Sequence, residues 1–514
     1  MFCLVAFFAF GQAKSQVGDN PKEPAEAEPP AKEPTTTQPA KPKGPNLLAA
    51  AKWTFSVDGG KTFAPAVQIA ANQSLQIVAH AEFEVADPAA LGGLEVVIPK
   101  GGPDITINGK APEGLLPRMI YSTYSLDPTK VLIKGKNVVL ATKTLNNKTS
   151  APVNADMPAV LTMIEPQNVG VQTGPILGCA GEGFFTLTCR TNMPAAVSVS
   201  AKPEPAGEEV IAASPRGYYH RMKIVLPKDT KAFTYTVTTQ SGLARNTTEP
   251  VKVKVPGAAK PFRFAAVGDC RSNPTAWKTI SDALTAVEPE LVLFSGDLVG
   301  AGRVDFTWDR EFAGPAKTML SRIPFYTVAG NHEQSAAAFF TLFYAPNETG
   351  RPDNWAQAAG GVLFIGIDGG KPNDEMTKFV ETALAASKEK FIFLMTHYPA
   401  YSSGMHGKRP DGGMGYSKKV LMPLLAKYNA TAMIAGHDHD YERSEPPAGQ
   451  GVTCIVAGGG GAPLYGRQGR NSYSKVFLTK LHYCIFEVKG DTCEMKAYDA
   501  QGKVLDETVF KARN

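Results

Sequence analysis

This sequence has no long apolar run, few cysteines and only a small excess of positive charge. The apolar run FCLVAFFAF at its start is far shorter than the roughly 20 residues that cross a bilayer, so we expect no stable transmembrane segment. A formal net charge of +5 over 514 residues is too small and too dispersed for a nucleic-acid patch, which predicts no nucleic-acid partner. The small positive excess mildly favours anionic substrates.

Cysteine is present at only seven positions, and one of these is Cys3. Of the other six, Cys179 with Cys189 and Cys484 with Cys493 are spaced as the two ends of a disulfide across a β-hairpin would be. Disulfides fit an exported chain, whereas small buried thiols fit the same spacings equally well. The sequence leaves both alternatives open.

The start of the chain predicts export. The run FCLVAFFAF followed by GQA resembles the hydrophobic region and small-residue cleavage site of a secretory signal, so we expect a signal peptide over residues 1–13. Residues 14–45 are rich in Pro, Ala, Glu, Lys and Thr, and they predict a disordered linker. Together these segments predict a secreted, periplasmic or cell-surface protein.

Five short apolar runs in the second half of the chain each lead directly into residues that bind metals. The runs and their last residues are RFAAVGD at Asp269, LVLFSGD at Asp297, FYTVAGN at Asn331, FIFLMTH at His397, and TAMIAGHDH with His437 and His439. Buried parallel strands with intervening helices place their carboxyl ends on one edge of a sheet. We therefore expect these side chains to converge.

The residue types at these positions indicate a metal centre. Asp, Asn and His together suit Fe, Zn or Mn, whereas an all-oxygen set would suit Ca or Mg. The absence of cysteine ligands argues against a structural zinc site. Six ligands exceed what one four-coordinate ion needs, which predicts two ions roughly 3.5–4 Å apart that share a carboxylate. Asp297 is the expected bridge.

The blocks GDC, GDLV, GNHE, MTHYP and GHDHDYER, in this order, resemble those of the calcineurin-like metallophosphoesterases, and in particular the purple acid phosphatase branch. The resemblance covers residues 260–487 and implies an α/β catalytic domain of two packed mixed sheets flanked by helices. It also implies that Asp297, Asn331, His397 and His437 hold one ion. Asp269, Asp297 and His439 would hold the other.

The resemblance further implies two histidines that face the substrate. His332, in the GNH block, would contact the phosphate or protonate the leaving alkoxide, a task suited to a group that titrates near neutrality. His406 matches a second pocket histidine of the purple branch. Two ions would activate a water for in-line attack, so no covalent phosphoenzyme is needed. The sequence also has no G-x-S-x-G nucleophile motif.

The chain departs from the family at two positions. The purple enzymes have a tyrosine where this chain has Gly300, so no tyrosinate-to-iron colour is expected. Other branches have a histidine where this chain has Arg271. Asn273 or water would then complete the shell of the first ion. Arg271 itself is a candidate for a bidentate grip on the phosphate.

The fold class that we predict is multidomain, with N-terminal all-β sandwich modules followed by the α/β domain. Residues 46–165 resemble a galactose-binding-like jelly roll, and residues 166–256 resemble the fibronectin type III-like module that precedes the catalytic domain of purple acid phosphatases. The first module is a candidate for binding carbohydrate or a cell-surface polymer. Its aromatic residues, including Trp53 and Phe55, suit core packing better than ligand stacking.

Within the catalytic region we expect four helices, the last of which contains VLMPLLAKYNA with apolar spacing suited to packing on a sheet, and we expect a β-hairpin at the end of the chain. The helices are expected at 274–287, 308–320, 373–389 and 415–428. Residues 488–514 are expected to form a hairpin extension with a Gly-Asp turn at an edge of the catalytic sheets.

The function that these observations favour is hydrolysis of small phosphomonoesters by an exported enzyme with two metal ions. A phosphodiesterase or nucleotidase of the same fold is the first alternative. A noncatalytic surface-binding protein that has lost one ion is the second, because two usual ligands are missing. Substrate choice is expected to depend on loops at 301–311, 345–358 and 401–416.

Overall fold

The computed structural model describes residues 48, 51–99, 103–111, 115–117, 121–146, 151–153, 160–164, 168–181, 183–205, 207–258, 260–345 and 352–513. The predicted signal peptide and linker lie outside these residues. No helix in the described part of the chain is long and apolar enough to cross a membrane.

The first folded region is built almost entirely of short antiparallel strands. These are β1 (Thr54–Ser56), β2 (Val67–Ile69), β3 (Ser74–Val85), β4 (Gly93–Pro99), β5 (Asp104–Ile107), β6 (Leu115–Pro117), β7 (Tyr121–Leu126), β8 (Gly135–Asn146), β9 (Ala151–Val153) and β10 (Val160–Ile164). A 3-10 turn at Pro88–Ala90 and the short helix α1 (Pro128–Val131) connect strands. The sheet orders are β1-β3-β8-β5 and β10-β4-β7-β6, with β2 paired to β9.

Alternate residues of these strands form the core of the first region. On β3, Ile77, Ala79 and Ala81 are fully buried, as expected for a strand with one face inward. Trp53 is 8% exposed and Phe55 is 1% exposed, and both belong to this core. These two rings therefore pack inside the region, in agreement with the expectation from sequence, and offer little surface to a ligand.

The second region is a single six-stranded antiparallel sheet. Its strands are β11 (Val171–Gly181), β12 (Phe184–Glu204), β13 (Val210–Val225), β14 (Ala232–Ser241), β15 (Ala244–Thr247) and β16 (Val251–Lys254). The order is β11-β12-β14-β15, with β13 paired to β12 and β16 paired to β14. Phe185 stacks on Phe233 with ring centroids 4.1 Å apart, inside the core of this region. The assignment of the two β-rich regions to particular domain families stays a prediction.

The third region has two mixed sheets. Its strands are β17 (Phe262–Val267), β18 (Leu291–Phe294), β19 (Phe325–Thr327), β20 (Asn354–Ala359), β21 (Val362–Ile367), β22 (Phe391–Met395), β23 (Ala432–Ala435), β24 (Tyr441–Ser444), β25 (Thr453–Ala457), β26 (Ser474–Leu478), β27 (His482–Lys489), β28 (Thr492–Asp499) and β29 (Val504–Lys511). The sheet orders are β19-β18-β17-β27-β28-β29 and β20-β21-β22-β23-β25-β24-β26.

Helices connect the strands of this region. They are α2 (Pro274–Val287), α3 (Asp305–Thr307), a π-helix at Trp308–Ala313, α4 (Lys317–Arg322), α5 (Ala337–Leu342), α6 (Asp374–Ala386), α7 (Met405–Lys408), α8 (Gly412–Tyr416), a π-helix at Ser417–Leu421, and α9 (Met422–Lys427).

The two sheets pack face to face through aromatic side chains. Phe264 of β17 stacks on Phe486 of β27, with ring centroids 4.6 Å apart. It also meets Phe364 of β21 and Phe393 of β22 edge-on, at 4.9 and 5.3 Å. Offset-stacked and edge-to-face rings of this kind contribute beyond the apolar area that they bury. The predicted α/β architecture with mixed sheets and helices is therefore present.

Parallel strands bring the predicted ligand positions to the same ends of these sheets. In the first sheet β17, β18 and β19 are parallel, and in the second β21, β22, β23 and β25 are parallel. The strands that lead into the predicted ligands are buried along their whole length, as parallel strands covered on both faces are. Each ligand follows its strand by a few residues, which is the position expected from sequence.

Two of the four predicted helices correspond to single observed helices and two are divided. The helix predicted at 373–389 corresponds to α6, and 415–428 spans the end of α8, a π-helix and α9. The helix predicted at 274–287 is confirmed, since α2 has these bounds. The segment predicted as one helix at 308–320 is split into a π-helix and α4. Pro315 lies between them, and proline lacks the N–H that a continuous helix would need.

The predicted C-terminal hairpin is present as β27 and β28. Lys489 pairs with Thr492 across a turn in which Gly490 has a φ of 63°. β27 also pairs with β17 in the middle of the first sheet, and β29 continues the sheet beyond β28. The boundary placed between residues 487 and 488 therefore lies inside a strand.

All six cysteines of the described residues are buried free thiols. Cys484 pairs with Ala497, whereas Cys493 pairs with Val488, four residues along the strand from Cys484. That offset corresponds to about 13 Å, and a disulfide needs Cα atoms within about 7 Å. Cys179 and Cys189 face different hydrophobic cores. The disulfide alternative is therefore wrong for both pairs, because the hairpin register separates them.

Candidate metal centre

Three of the predicted ligands lie in tight turns directly after their strands. Asp269, Asp297 and His437 have φ values of 59°, 57° and 72°, in the left-handed region that residues other than glycine seldom adopt. The turns are joined by backbone hydrogen bonds, because the amide of Asp269 donates to the carbonyl of Gly296 at 3.0 Å. Strained, over-determined backbone of this kind is concentrated at functional sites.

Asp269, Asp297 and His439 form the first group of ligands. All three side chains are buried, and one ligand atom from each lies within 4.8 Å of the other two. His439 Nε2 is 3.7 Å from Asp269 Oδ1. These are the three residues that the resemblance assigned to one ion.

Asn331, His397 and His437 form the second group, and Asp297 joins it to the first. His397 Nε2 lies 3.1 Å from Asn331 Oδ1, 3.2 Å from His437 Nδ1 and 3.5 Å from Asp297 Oδ1. Asp297 thus has one carboxylate beside both groups. The structure brings all six predicted ligands together.

His397 and His439 each have Nδ1 engaged by a backbone carbonyl. His397 donates from Nδ1 to the carbonyl of Ser295 at 2.8 Å, and His439 donates from Nδ1 to the carbonyl of Pro463 at 2.6 Å. Burial lowers the pKa of His397 to about 4 and that of His439 to about 3, so both rings are neutral at pH 7. A neutral ring that donates from Nδ1 has only an acceptor at Nε2.

The carboxylates also indicate a cation site. Burial, followed by the nearby charge of Asp297, raises the pKa of Asp269 well above its ordinary value. Two buried carboxylates this close repel each other unless a proton, the neighbouring Arg271 or a bound cation compensates their charge, so the group suits a cation. The donor set, oxygen and imidazole nitrogen without thiolate, fits divalent ions of the Zn, Mn or Fe type.

Glu333 is a structural member of the site that the sequence did not single out. Its buried carboxylate accepts the backbone N–H groups of Asp297, Leu298 and Gly330 at 2.9, 2.9 and 2.6 Å. It therefore ties the turn after β18 to the turn after β19. In the sequence, the only indication of a role for Glu333 is its place next to His332 in the GNHE block. The sequence does not reveal that its partners are backbone amides.

The two predicted substrate-facing histidines lie at the margin of the ligand groups. His332 donates from Nδ1 to the carbonyl of Gly300 at 2.7 Å, and its Nε2 is 3.9 Å from Asp297 Oδ2. The ring of His406 stacks on His437 with centroids 3.8 Å apart, and its Nδ1 is 3.0 Å from Asp438 Oδ1. Both side chains keep about a quarter of their surface exposed, 26% and 28%.

The positions that depart from the family have defined contacts. Arg271 is 9% exposed, and its Nε lies 3.4 Å from Asp297 Oδ2, beside the first group. At Gly300 a Cβ atom would lie 2.9 Å from Ser272 Oγ and 3.3 Å from Glu311 Oε2, so the space next to this backbone is already filled. Asn273 Oδ1 accepts the amide of Ala276 as the N-cap of α2. One lone pair of this oxygen is therefore engaged by the cap, and the suggestion that Asn273 or water completes the shell of the first ion stays a prediction.

Comparison with known proteins agrees with this geometry. The sequence pattern of the calcineurin-like phosphoesterase family matches residues 262–441. Over 241 residues the chain is 35% identical to tartrate-resistant acid phosphatase type 5 of Mus musculus, covering 38% of this chain and 72% of that protein. The chain belongs to the calcineurin-like phosphoesterase family. The resemblance found in the ordered sequence blocks is thereby confirmed.

Two further comparisons extend beyond the matched pattern. This phosphoesterase is 25% identical over 310 residues to tartrate-resistant acid phosphatase type 5 of Oryctolagus cuniculus, covering 50% of this chain and 93% of that protein. The structure of purple acid phosphatase PPD1 from Lupinus luteus seeds has a TM-score of 0.57 and 16% identity, covering 85% of this chain and 93% of that one. The phosphoesterase thus shares a purple acid phosphatase fold over most of its length.

Proposed function

We propose that this phosphoesterase is an exported hydrolase with two metal ions that cleaves phosphomonoesters by attack of an activated water. One observation carries the proposal: Asn331 Oδ1 and His437 Nδ1 lie 3.1 and 3.2 Å from His397 Nε2, and Asp297 joins these atoms to the buried group of Asp269 and His439. A bound cation would hold such a cluster of carboxylate, amide and imidazole groups together.

When bound, two such ions would lower the pKa of a water molecule and neutralise charge on the phosphoryl oxygens. Asp297, Asn331, His397 and His437 would hold one ion, and Asp269, Asp297 and His439 the other. Asp297 suits the bridging role because it belongs to both groups: Oδ1 is 3.5 Å from His397 Nε2, and one of its oxygens lies within 4.8 Å of a ligand atom of Asp269 and of His439.

The chain's own residues then act on the substrate. His332 has its Nδ1 fixed on the carbonyl of Gly300, which directs Nε2 toward the ligand groups, where a proton on Nε2 can pass to the leaving oxygen. The ring of His406 stacks on the ring of His437 and is partly exposed, so it can reach a bound substrate. Arg271 adds a fixed positive charge beside Asp297 and suits a phosphoryl oxygen.

Phosphomonoesters come first among substrates because the relatives that match this chain are named acid phosphatases. Diesters and nucleotides are the alternative within the same fold. The two are separated by relative kcat/KM on p-nitrophenyl phosphate and bis(p-nitrophenyl) phosphate. A preference for the diester would overturn the monoester assignment and leave the hydrolase assignment in place.

The first test is metal content per chain, measured by elemental mass spectrometry on residues 46–514 purified without chelator. Two ions per chain are expected, as Fe, Zn or Mn. One ion or none, even after reconstitution with these metals, would contradict the dinuclear centre. It would favour the noncatalytic binding protein, whose support is the absence of tyrosine at Gly300 and of histidine at Arg271.

The second test pairs a ligand variant with a control. His397→Ala is expected to remove metal from the second group and to abolish hydrolysis. His220→Ala is the matched control, because His220 is a buried histidine of β13 that contacts Ser214 and Gly217 outside the site. Equal activity of the two variants would overturn the assignment of His397 as a ligand.

Export and the role of the N-terminal regions belong to the same proposal. The signal-like start supports a secreted, periplasmic or cell-surface location, which fractionation of the producing cells tests directly. Carbohydrate or polymer binding by residues 46–165 is the weaker element, because Trp53 and Phe55 are buried in the core. A glycan array probed with the full chain would decide it.

A further inference from the structure

His437 is covered from two sides by one segment, residues 404–416. The ring of His406 stacks on the His437 ring with an interplanar angle of 26°. From the same segment, Asp411 Oδ2 lies 3.0 Å from His437 Nε2. The sequence blocks gave no role to Asp411, and its place beside a metal ligand is evident only in the folded chain.

The carboxylate of Asp411 is held in place independently of His437. Asp411 is the N-cap of α8, and its Oδ1 accepts the amide of Met414 at 2.9 Å. The helix itself is fixed against Tyr398, because a Cβ at Gly413 would lie 2.5 Å from Tyr398 Cγ. One oxygen is thus engaged by the helix, and the other is directed at the imidazole.

This arrangement favours one tautomer of the His437 ring. A carboxylate beside Nε2 favours a proton on that nitrogen, which leaves Nδ1 as a lone pair. Nδ1 is the atom that faces His397 Nε2 at 3.2 Å, inside the second ligand group. Ligand histidines are ordinarily oriented in this way by an acceptor on the nitrogen that does not bind the ion.

The other two ligand histidines are oriented by backbone. His397 and His439 donate to the carbonyl oxygens of Ser295 and Pro463, which no side-chain substitution removes. Of the three, His437 alone has a charged side chain in this position. A substitution at Asp411 is therefore expected to change the affinity of the ion in the second group through His437, and no equivalent side chain orients His397 or His439.

We propose that Asp411 is a positioning residue for the second metal ion, which it favours by fixing the tautomer and orientation of His437. The inference rests on the proposed metal centre. It adds a residue outside the six ligands, and it predicts that the two ions respond differently to its loss.

The test is the substitution Asp411→Ser in the full chain. Serine remains a good N-cap for α8, but its shorter side chain does not reach His437. Stepwise Zn²⁺ affinity is measured by competition with a chromophoric chelator. A loss of about 10- to 100-fold is expected for the ion of the second group, with the ion at Asp269 and His439 unchanged. Asp411→Asn keeps the shape and a weaker acceptor, so an intermediate loss is expected.

The matched control is Asn373→Ala. Asn373 is the N-cap of α6 and accepts the amide of Met376 at 2.7 Å, so this variant loses a cap bond of the same kind away from the centre. Unchanged Zn²⁺ affinity in Asp411→Ser, equal weakening of both ions, or the same loss in Asn373→Ala would each overturn the proposal. A wild-type chain that binds no Zn²⁺ would instead contradict the proposed function.

Discussion

At the residue scale, burial separates the histidines proposed to bind metal from those proposed to act on the substrate. His397 and His439 are buried, so the charged form is disfavoured and their lone pairs are available at neutral pH. His332 and His406 keep part of their rings exposed at the margin of the site. The surroundings of each ring thus suit it to one of the two proposed roles.

His332→Ala tests the proton-donating role. We expect kcat to fall by about 10²- to 10⁴-fold on an alkyl phosphate, whose leaving group needs a proton. The fall should be much smaller on p-nitrophenyl phosphate, because nitrophenolate leaves without one. Initial rates over a series of leaving groups measure the difference, and His80→Ala serves as the control. An equal loss on all substrates would contradict the role.

His482 gives a pH prediction that does not involve the metal centre. Its ring is buried, donates to the carbonyl of Lys480, and has its pKa lowered by burial from 6.5 to about 4. The unfolded chain then binds the proton more tightly, so the folded state loses stability as pH falls from about 6.5 to about 4. The loss is about 3 kcal/mol for the full difference in pKa.

The comparison for this prediction is His482→Gln, which cannot take up the proton. Urea unfolding of both proteins at pH 6.5 and pH 4.5 gives the change in free energy of unfolding for each. The wild type should lose more stability than the variant over this range, whatever the cost of the substitution itself. Equal losses would show that His482 is not the group responsible.

At the scale of elements, strand register decides what neighbouring residues can do. Cys484 and Cys493 lie on paired strands, β27 and β28, but the pairing offsets them by four residues. The turn at Gly490 sets this register, since hairpin pairing follows from turn length. The same offset keeps both side chains in the core between the sheets.

The cysteines should therefore behave as buried thiols. We expect dithiothreitol to leave the melting temperature unchanged, because no disulfide contributes to stability. The six buried thiols should react with a thiol reagent in denaturant and stay unreactive in the native protein, since burial excludes the reagent and raises the pKa of Cys189 and Cys454 to about 12. A reductant-dependent fall in melting temperature would contradict the free thiols.

At the scale of the whole molecule, the second β-rich region is joined to the catalytic sheets by buried polar contacts. The hydroxyl of Tyr326 on β19 donates to the carbonyl of Ala180 at 3.0 Å and accepts its amide at 3.2 Å. The guanidinium of Arg190 on β12 lies 2.5 Å from the carboxylate of Asp309 in the π-helix. Glu311, in the same π-helix, accepts the amide of Gly300. The joint thus reaches the turn that bears Asp297.

Tyr326→Phe tests this joint. The substitution leaves the buried N–H and C=O of Ala180 without their partner, which is expected to cost about 1–3 kcal/mol of unfolding free energy. Tyr428→Phe is the control, because its hydroxyl bonds only weakly to the exposed Glu381, and a change below about 0.5 kcal/mol is expected. Equal effects in denaturant unfolding would show that the joint contributes little.

The sequence by itself determined those features that depend on residues close together in the chain. Buried runs ending in Asp, Asn or His predicted strands with ligands at their carboxyl ends, because parallel sheets gather such ends at one edge. The ordered blocks predicted the family, and the bounds predicted for α2 agree with the structure. These features depend on chemistry within a few residues of each position.

Only the tertiary structure decided the contacts between distant segments. The carboxylate of Asp411 meets His437, Glu333 accepts the amides of another turn, and Ser272 and Glu311 fill the space beside Gly300. Hairpin register, which no cysteine spacing reveals, kept the thiols apart. Such pairings depend on how sheets and turns pack, and that packing is set by the whole chain and not by any one segment.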